Sequence, residues 1–330
     1  MADFESILVT GGGGFVGGNL ASVISLLYPK ARRAMVTRPG ERVVDSEWRN
    51  IVADITDEAA LGAAVAQVEP DLVVHLAGQA SIGQAVAAAA QTWRTNFLGA
   101  FNLAAAVARH APQATVLFSS SATVYGAALN AGIATEETSP QPLDSYSRSK
   151  VASEYAIADL LPPTARLIIG RPVNHSGPGQ KSADFVLASF AAQIARMEKG
   201  LAAPALHVGD LSKARDFLDV RDVVDAYVRL IAKARDLPMR GNVFNIASGE
   251  AQRIGDLLEI LRGHASIPFD VVVDRDRIRP SAVDVPVMIC DATKLRESTG
   301  WRPRHSMDDM LRDLLAGWRA ELAGGAAAAP

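Results

Sequence analysis

Tyr146 and Lys150 stand four residues apart in the run Tyr146-Ser147-Arg148-Ser149-Lys150, a spacing that puts both on one face of a helix. A lysine cation beside a phenol favours the phenolate, so such a tyrosine can trade a proton near neutral pH. The run Ser119-Ser120-Ser121 supplies hydroxyls, and Ser121 is the candidate to hydrogen-bond a reacting carbonyl or alkoxide. Serine runs also make ordinary turns. A hydroxyl, a phenol and an ammonium together suit hydride transfer at a carbon–oxygen bond.

A hydride must come from a carrier, and a site for a dinucleotide is legible near the N-terminus. The apolar run Ile7-Leu8-Val9 leads into Thr10-Gly11-Gly12-Gly13-Gly14-Phe15-Val16-Gly17 and then a helical pattern. Glycine permits the tight turn, lets backbone approach a pyrophosphate and lets the helix pack on the strand. The helix N-terminus offers free N–H groups and a positive dipole end to the anion. Gly11, Gly14, Phe15 and Val16 are therefore candidate cofactor contacts. The second strand ends Val36-Thr37-Arg38, with no carboxylate at the position that would bond an adenosine ribose and favour NAD. Arg38 suits a 2′-phosphate, which favours NADP with NAD as the alternative, or it is a solvated loop arginine. Asp54 and Ile55 follow the third strand and can bracket the adenine; Leu76, Ala77 and Gly78 follow the fourth and can pass close to the ribose and phosphates.

These residues need a scaffold that brings strand ends together. Short apolar strands are expected at 7–10, 34–38, 51–53, 72–77, 116–119 and 167–171, with helical patterns between them, such as 58–68 and 95–110. That alternation indicates βαβ units. The fold class is α/β: a Rossmann-like, doubly wound parallel sheet with a smaller C-terminal α/β substrate-binding lobe. After Arg171 the pattern loosens: 174–184 is expected to be a loop, 185–199 a helix, 217–220 a short strand, 223–234 a helix, 243–247 a strand and 254–261 a helix. The expected division is a dinucleotide-binding domain at 1–172 with 216–248, a substrate lobe at 173–215 with 249–322, and a flexible tail at 323–330.

The 330 residues carry a formal net charge of −3, which argues against a nucleic-acid partner. The single cysteine, Cys290, excludes an intrachain disulfide and reads as a small buried hydrophobe. The N-terminal residues lack the pattern of a signal peptide, and no apolar run approaches the roughly 20 residues of a membrane span. A cytoplasmic location is expected, and no metal site is assigned. Trp93, Trp301 and Trp318 read as packing aromatics.

The segments TGGGGFVG, HLAG, NFLG, SSSATVYG, YSRSK and RPVNHSGPGQ resemble the extended short-chain dehydrogenase/reductases, the nucleotide-sugar epimerase/dehydratase group. That resemblance covers nearly the whole chain. It implies triad roles for Ser121, Tyr146 and Lys150, a grip of Lys150 on the nicotinamide ribose, and help from Asn96 through a water. Dehydratases of the group carry a glutamate where this chain has Thr123, a poor general base at neutral pH. The second half, with RPVNHSGPGQ, VGDLSKARDFLDVRDVVDAY and STGWRPR, is similar to the GDP-4-keto-6-deoxy-D-mannose reductases. The resemblance thus implies NAD(P)H-dependent reduction at C4 of a GDP-linked 4-keto-6-deoxy sugar, with a 4-epimerase holding NAD tightly as the alternative. Val173 departs from the usual phenylalanine beside the nicotinamide.

Candidate substrate contacts are Gln79 and Ser81 after the fourth strand, Asn174 after the sixth, Val186 at a helix start, and Arg215 and Arg279 in polar loops. Each arginine can clamp a diphosphate; Arg215 can instead pair with neighbouring Asp216, and Arg279 can be merely exposed. His175 reads as structural or as a base. The alanine-rich helices 95–110 and 146–161 either pack only within the chain or, as in the family, pair two copies into a homodimer.

Overall fold

A computed structural model describes residues 2–38, 40–41, 47–278 and 284–324. Arg279 and residues 325–330 of the expected tail lie outside the described residues.

The N-terminal half alternates strands and helices: β1 Ser6–Thr10, α1 Phe15–Leu27, β2 Arg32–Thr37, β3 Arg49–Val52, α2 Glu58–Val68, β4 Leu72–His75, α3 Ile82–Ala87, α4 Ala89–Trp93, α5 Gly99–His110, β5 Thr115–Ser119, α6 Ser145–Leu160 and β6 Arg166–Pro172. One π-helical turn, Arg94–Leu98, joins α4 to α5. The remainder runs β7 Asn174–Ser176, α7 Val186–Glu198, β8 Ala205–Val208, β9 Ala214–Asp219, α8 Val220–Ala232, β10 Asn242–Ile246, β11 Ala251–Arg253, α9 Ile254–His264, β12 Asp270–Val273, β13 Val287–Met288, α10 Thr293–Thr299 and α11 Met307–Ala323.

Seven strands form one parallel sheet in the order β10-β6-β5-β4-β1-β2-β3. The chain winds outward from β1 through β3 and returns at β4, beside β1. The strand order therefore reverses between β1 and β4, where doubly wound sheets open a crevice at their C-terminal ends. Side-chain alternation along β1 explains the two cores. Ile7 and Val9 join Leu20 and Ile24 of α1 and Leu230 of α8 on one face, while Leu8 joins Val65 of α2 and Val107 of α5 on the other.

A third core belongs to the C-terminal lobe, where Leu187 and Ile194 of α7 meet Leu257 of α9 and Leu311 and Leu315 of α11. Its strands form two small sheets. β9 is flanked by β11 and β13 and also pairs with β7, and β12 pairs with β8. Two sequence expectations need correction here. The 174–184 loop contains β7, and Arg215 lies on β9 rather than in a loop. Both pieces are short and carry polar residues, so neither shows an apolar alternation.

Trp301 is fully buried and donates its indole N–H to the Asp222 carbonyl of α8 at 3.0 Å, fastening the segment after α10 to the main core. Trp93, expected to be a packing residue, is 37% exposed on α4. Trp301→Ala should cost about 3–5 kcal/mol of unfolding free energy, checked by urea denaturation. A loss below about 1 kcal/mol would show that the segment is not anchored through this residue.

Candidate active site

Where β1 turns into α1, backbone packs on backbone. Gly11 has φ 73°, and a Cβ there would lie 2.6 Å from the Ala77 amide nitrogen. A Cβ on Gly17 would lie 2.7 Å from Gly12 Cα and closer still to the Gly11 carbonyl oxygen. α1 starts at a Gly14 cap with no side-chain acceptor and no acidic residue in its first turn. Its first N–H groups are therefore left for an anion. This cradle fits a pyrophosphate on the residues present.

The adenosine end follows β2 and β3. Arg38 follows β2 as expected, with its side chain 76% exposed, but it is bound to Glu41 at 2.6 Å. That carboxylate corrects the expectation that none stands near the strand end; it enters from three residues further on. The Asp54 carboxylate accepts from the Thr56 amide at 2.8 Å and hydroxyl at 2.9 Å. Ile55 turns its side chain into the core against Gly99, and its carbonyl accepts from the Asn102 amide at 3.1 Å.

A cavity of about 700 Å³ runs from the glycine turn into the C-terminal lobe. Gly11, Gly14, Phe15, Val16, Leu76, Gly78, Gln79, Ser121, Tyr146, Lys150, Val173, Asn174, Val186 and Arg215 all line it. Ala77 lies beneath, against Gly11. Ser81 caps α3, its hydroxyl accepting from the Gln84 amide at 3.3 Å. Asn96, in the π-helical turn, is buried. Its amide donates to the Gln79 carbonyl at 3.1 Å and the Ser149 hydroxyl at 3.0 Å, and its carbonyl accepts from the Gln79 N–H at 2.8 Å. It pins the loop after β4. Gly78 passes beneath it, where a Cβ would sit 3.0 Å from Asn96 Oδ1 and 3.6 Å from Lys150 Nζ.

Tyr146 and Lys150 come from the first turns of α6, which Asp144 caps by accepting from the Ser147 amide at 2.9 Å. Ser121 caps the short helix after β5 and accepts from the Thr123 N–H at 3.2 Å and hydroxyl at 3.0 Å. Burial pushes the Tyr146 phenol up to about 12, opposed by a hydrogen bond with Ser121 and aided by the Asp144 charge. Lys150 donates to the Ser119 carbonyl at 2.8 Å and lies 5.0 Å over the Phe118 ring. Burial lowers its ammonium to about 8, against the opposing pull of Glu154. Desolvation, and not the lysine cation, is what sets the phenol.

His175 stacks on Phe15, centroids 6.1 Å apart and planes 11° apart, and its Nδ1 lies 2.9 Å from the Val173 carbonyl. Burial holds it below the ordinary imidazole range, against that hydrogen bond. A neutral ring donating from Nδ1 buttresses the glycine turn. Arg215 pairs with Asp284, not with Asp216, whose carboxylate instead accepts from the Ser248 hydroxyl at 2.7 Å and the Gly249 amide at 3.0 Å. His207, Lys213 and Arg277 also line the lobe side of the cavity. Sequence reasoning passed over them because they lie on separate short segments and share no motif spacing.

A family model described as GDP-mannose 4,6 dehydratase matches residues 8–314. GDP-6-deoxy-D-mannose reductase of Pseudomonas aeruginosa is 34% identical over 320 residues, covering 96% of this chain and 98% of that protein. dTDP-L-rhamnose 4-epimerase of Burkholderia thailandensis is 28% identical, covering 95% of each chain. The structure of RMD from Pseudomonas aeruginosa complexed with NADPH superposes with a TM-score of 0.79 at 33% identity, covering 96% of this chain and 99% of that one.

Gly17→Ala should weaken NADPH binding by tenfold or more, read by nucleotide fluorescence, while circular dichroism shows a folded protein; roughly 1.4 kcal/mol of lost contact suffices. Unchanged affinity would mean that the turn does not hold the pyrophosphate.

Proposed function

From a chain that belongs to the GDP-mannose 4,6-dehydratase family, we propose an NAD(P)H-dependent reductase of a nucleotide-linked 4-keto-6-deoxy sugar, acting on GDP-4-keto-6-deoxy-D-mannose to give GDP-D-rhamnose. The observation that carries this is one cavity lined by both the glycine turn and the Ser121, Tyr146 and Lys150 side chains. Likeness to a GDP-6-deoxy-D-mannose reductase along nearly both whole chains supports it.

A bound reduced nicotinamide supplies the hydride. The chain's own groups handle the oxygen and the proton. Ser121 holds the ketone oxygen and stabilises charge as it develops there. Tyr146, with its phenol pushed up to about 12, carries a proton at neutral pH and gives it to the forming alkoxide. Lys150 keeps a cation beneath the site, anchored on the Ser119 carbonyl, with N–H groups left for ribose hydroxyls. Arg215, Lys213 and Arg277 line the lobe end, each paired with an aspartate, Asp284, Asp210 and Asp274 in turn, from which a sugar diphosphate would draw them.

Dehydration would need a further acid and base. Thr123, at the position of the dehydratase glutamate, has its hydroxyl bound to Ser121. The cavity-lining carboxylates are committed among the described residues: Asp144 to its cap, Asp184 to Gln84, Asp210 to Ser212 and Asp284 to Arg215. A 4-epimerase is the second reading, favoured by the likeness to dTDP-L-rhamnose 4-epimerase. It would release NAD on denaturation and consume no reductant, whereas the reductase releases none.

Tyr146→Phe should lower kcat for NADPH oxidation with the ketosugar by roughly 100-fold or more while NADPH affinity changes little. Comparable losses in both would remove Tyr146 from the proton-donor role. For the cofactor, NADPH is preferred over NADH, with a 2′-phosphate displacing Glu41 from Arg38. Arg38→Ala should then weaken NADPH, and not NADH, by tenfold or more, as expected for one charge-assisted bond; equal effects on both would contradict the preference.

The protein works as a homodimer in this reading. Trp93, Phe97 and Phe101 form an aromatic row with centroid spacings of 6.0 and 6.3 Å, and Tyr155 of neighbouring α6 is 65% exposed. Phe101→Glu should convert a dimer to a monomer in sedimentation analysis, and an unchanged mass would place the interface elsewhere.

A further inference from the structure

One helical turn beyond Lys150, a carboxylate is buried with no part in the chemistry so far assigned. Glu154 is 7% exposed and Arg171, near the end of β6, is 5% exposed. The pair is bidentate: Arg171 Nη2 donates to Oε2 at 2.5 Å and Nε to Oε1 at 3.0 Å. The remaining guanidinium nitrogen, Nη1, donates to the Tyr125 hydroxyl at 3.1 Å. Tyr125 in turn donates to Asn245 Oδ1 of β10 at 2.7 Å. Ser120 also donates its hydroxyl to Glu154 Oε1. Its backbone N–H is fixed by the Gly170 carbonyl at 2.8 Å. The residue next to the candidate oxygen-holding serine is thus tied at both main chain and side chain.

Resting on the reductase reading, we propose that Glu154 is a positioning residue for the triad. Clamped by Arg171, its carboxylate holds Ser120 and so aims the adjacent Ser121, and its single charge offsets the Arg171 cation one helical turn from Lys150. Apolar replacement of a buried ion pair is often neutral or stabilising, so fold stability alone is weak grounds for retaining one here. A buried network whose members are all satisfied can instead fix one geometry, and a displacement of about 1 Å at a reacting group costs up to 100-fold in rate.

The groups facing Lys150 set the sign of the test. Glu154 lies on its own helix with Tyr146; β5 presents the Phe118 ring and the Ser119 carbonyl; β4 presents neutral His75, held at about 3 by burial with the Lys150 charge adding to the effect. Gly78 and the Asn96 amide close the remaining side. Glu154 is the negative charge among them, with Arg171 behind it. Glu154→Gln leaves the Arg171 charge uncompensated, which favours the phenolate at Tyr146 and the neutral amine at Lys150.

The test compares wild type, Glu154→Gln and Ser120→Ala by steady-state kinetics across pH with NADPH and GDP-4-keto-6-deoxy-D-mannose. It adds competitive acetylation of lysines in the ligand-free protein, read by mass spectrometry. Glu154→Gln should lower kcat roughly tenfold or more with KM and NADPH affinity nearly unchanged. Its alkaline kcat limb should move down by about one pH unit. Its Lys150 labelling midpoint should fall below that measured for wild type. Ser120→Ala, which keeps the ion pair, should lower kcat without moving the limb. An unmoved Lys150 midpoint in a folded Glu154→Gln protein, or unchanged kcat in Ser120→Ala, would overturn the assignment. Should Glu154→Gln not fold, Ser120→Ala decides alone. If wild type oxidises no NADPH, the reductase reading fails, while the labelling midpoint, which needs no substrate, still decides whether Glu154 governs Lys150.

Discussion

Close backbone contact at the start of α1 is the constraint on which the site depends. Gly11 and Gly17 leave no room for a side chain between β1, α1 and the loop after β4. That contact brings an uncapped helix N-terminus to the point where the sheet order reverses. It also sets the distance from the glycine turn to the ends of β4 and β5, because these strands pair in register next to β1. Phe15 and His175 then stack across the mouth and join the turn to β7. The cavity is a consequence of these packings and not a separate device.

Burial is what makes the polar groups chemically distinct. The same desolvation raises the Tyr146 phenol and lowers the Lys150 ammonium, so burial drives the two apart. At neutral pH the phenol keeps its proton and the amine its charge, the pair of states that a ketone reduction needs at its start. Behind them the Arg171–Glu154 pair carries charge without net excess, and Tyr125 and Asn245 carry its hydrogen bonding on to β10. Cys290, also buried, has its thiol pushed above the ordinary range by desolvation and stays inert.

The N-terminal half was legible because its signals are local. Apolar runs marked the main-sheet strands, α2 falls at Glu58–Val68 as its pattern indicated, and the Tyr146–Lys150 spacing needed only helix geometry. The C-terminal lobe was less so. β7 and β9 are short and polar, and they are held by pairing with distant segments, which no window of sequence reveals. The same applies to partners. Asp284, 69 residues away, takes Arg215 instead of the adjacent Asp216, and Glu41 takes Arg38. Ser81 caps α3 through its hydroxyl, a role that only the helix start after it reveals. Lys213, His207 and Arg277 converge only in three dimensions.

In the proposed reaction hydride passes to C4 of a ketosugar in the cavity between the glycine turn and Tyr146. The direct measurement is turnover of GDP-4-keto-6-deoxy-D-mannose with NADPH deuterated at nicotinamide C4, in separate preparations labelled on each face, followed by NMR of the sugar product. Deuterium is expected at sugar C4 from one of the two labelled faces, with one NADPH consumed per product. Product formed without label at C4 from either face, or conversion without loss of NADPH, would contradict it.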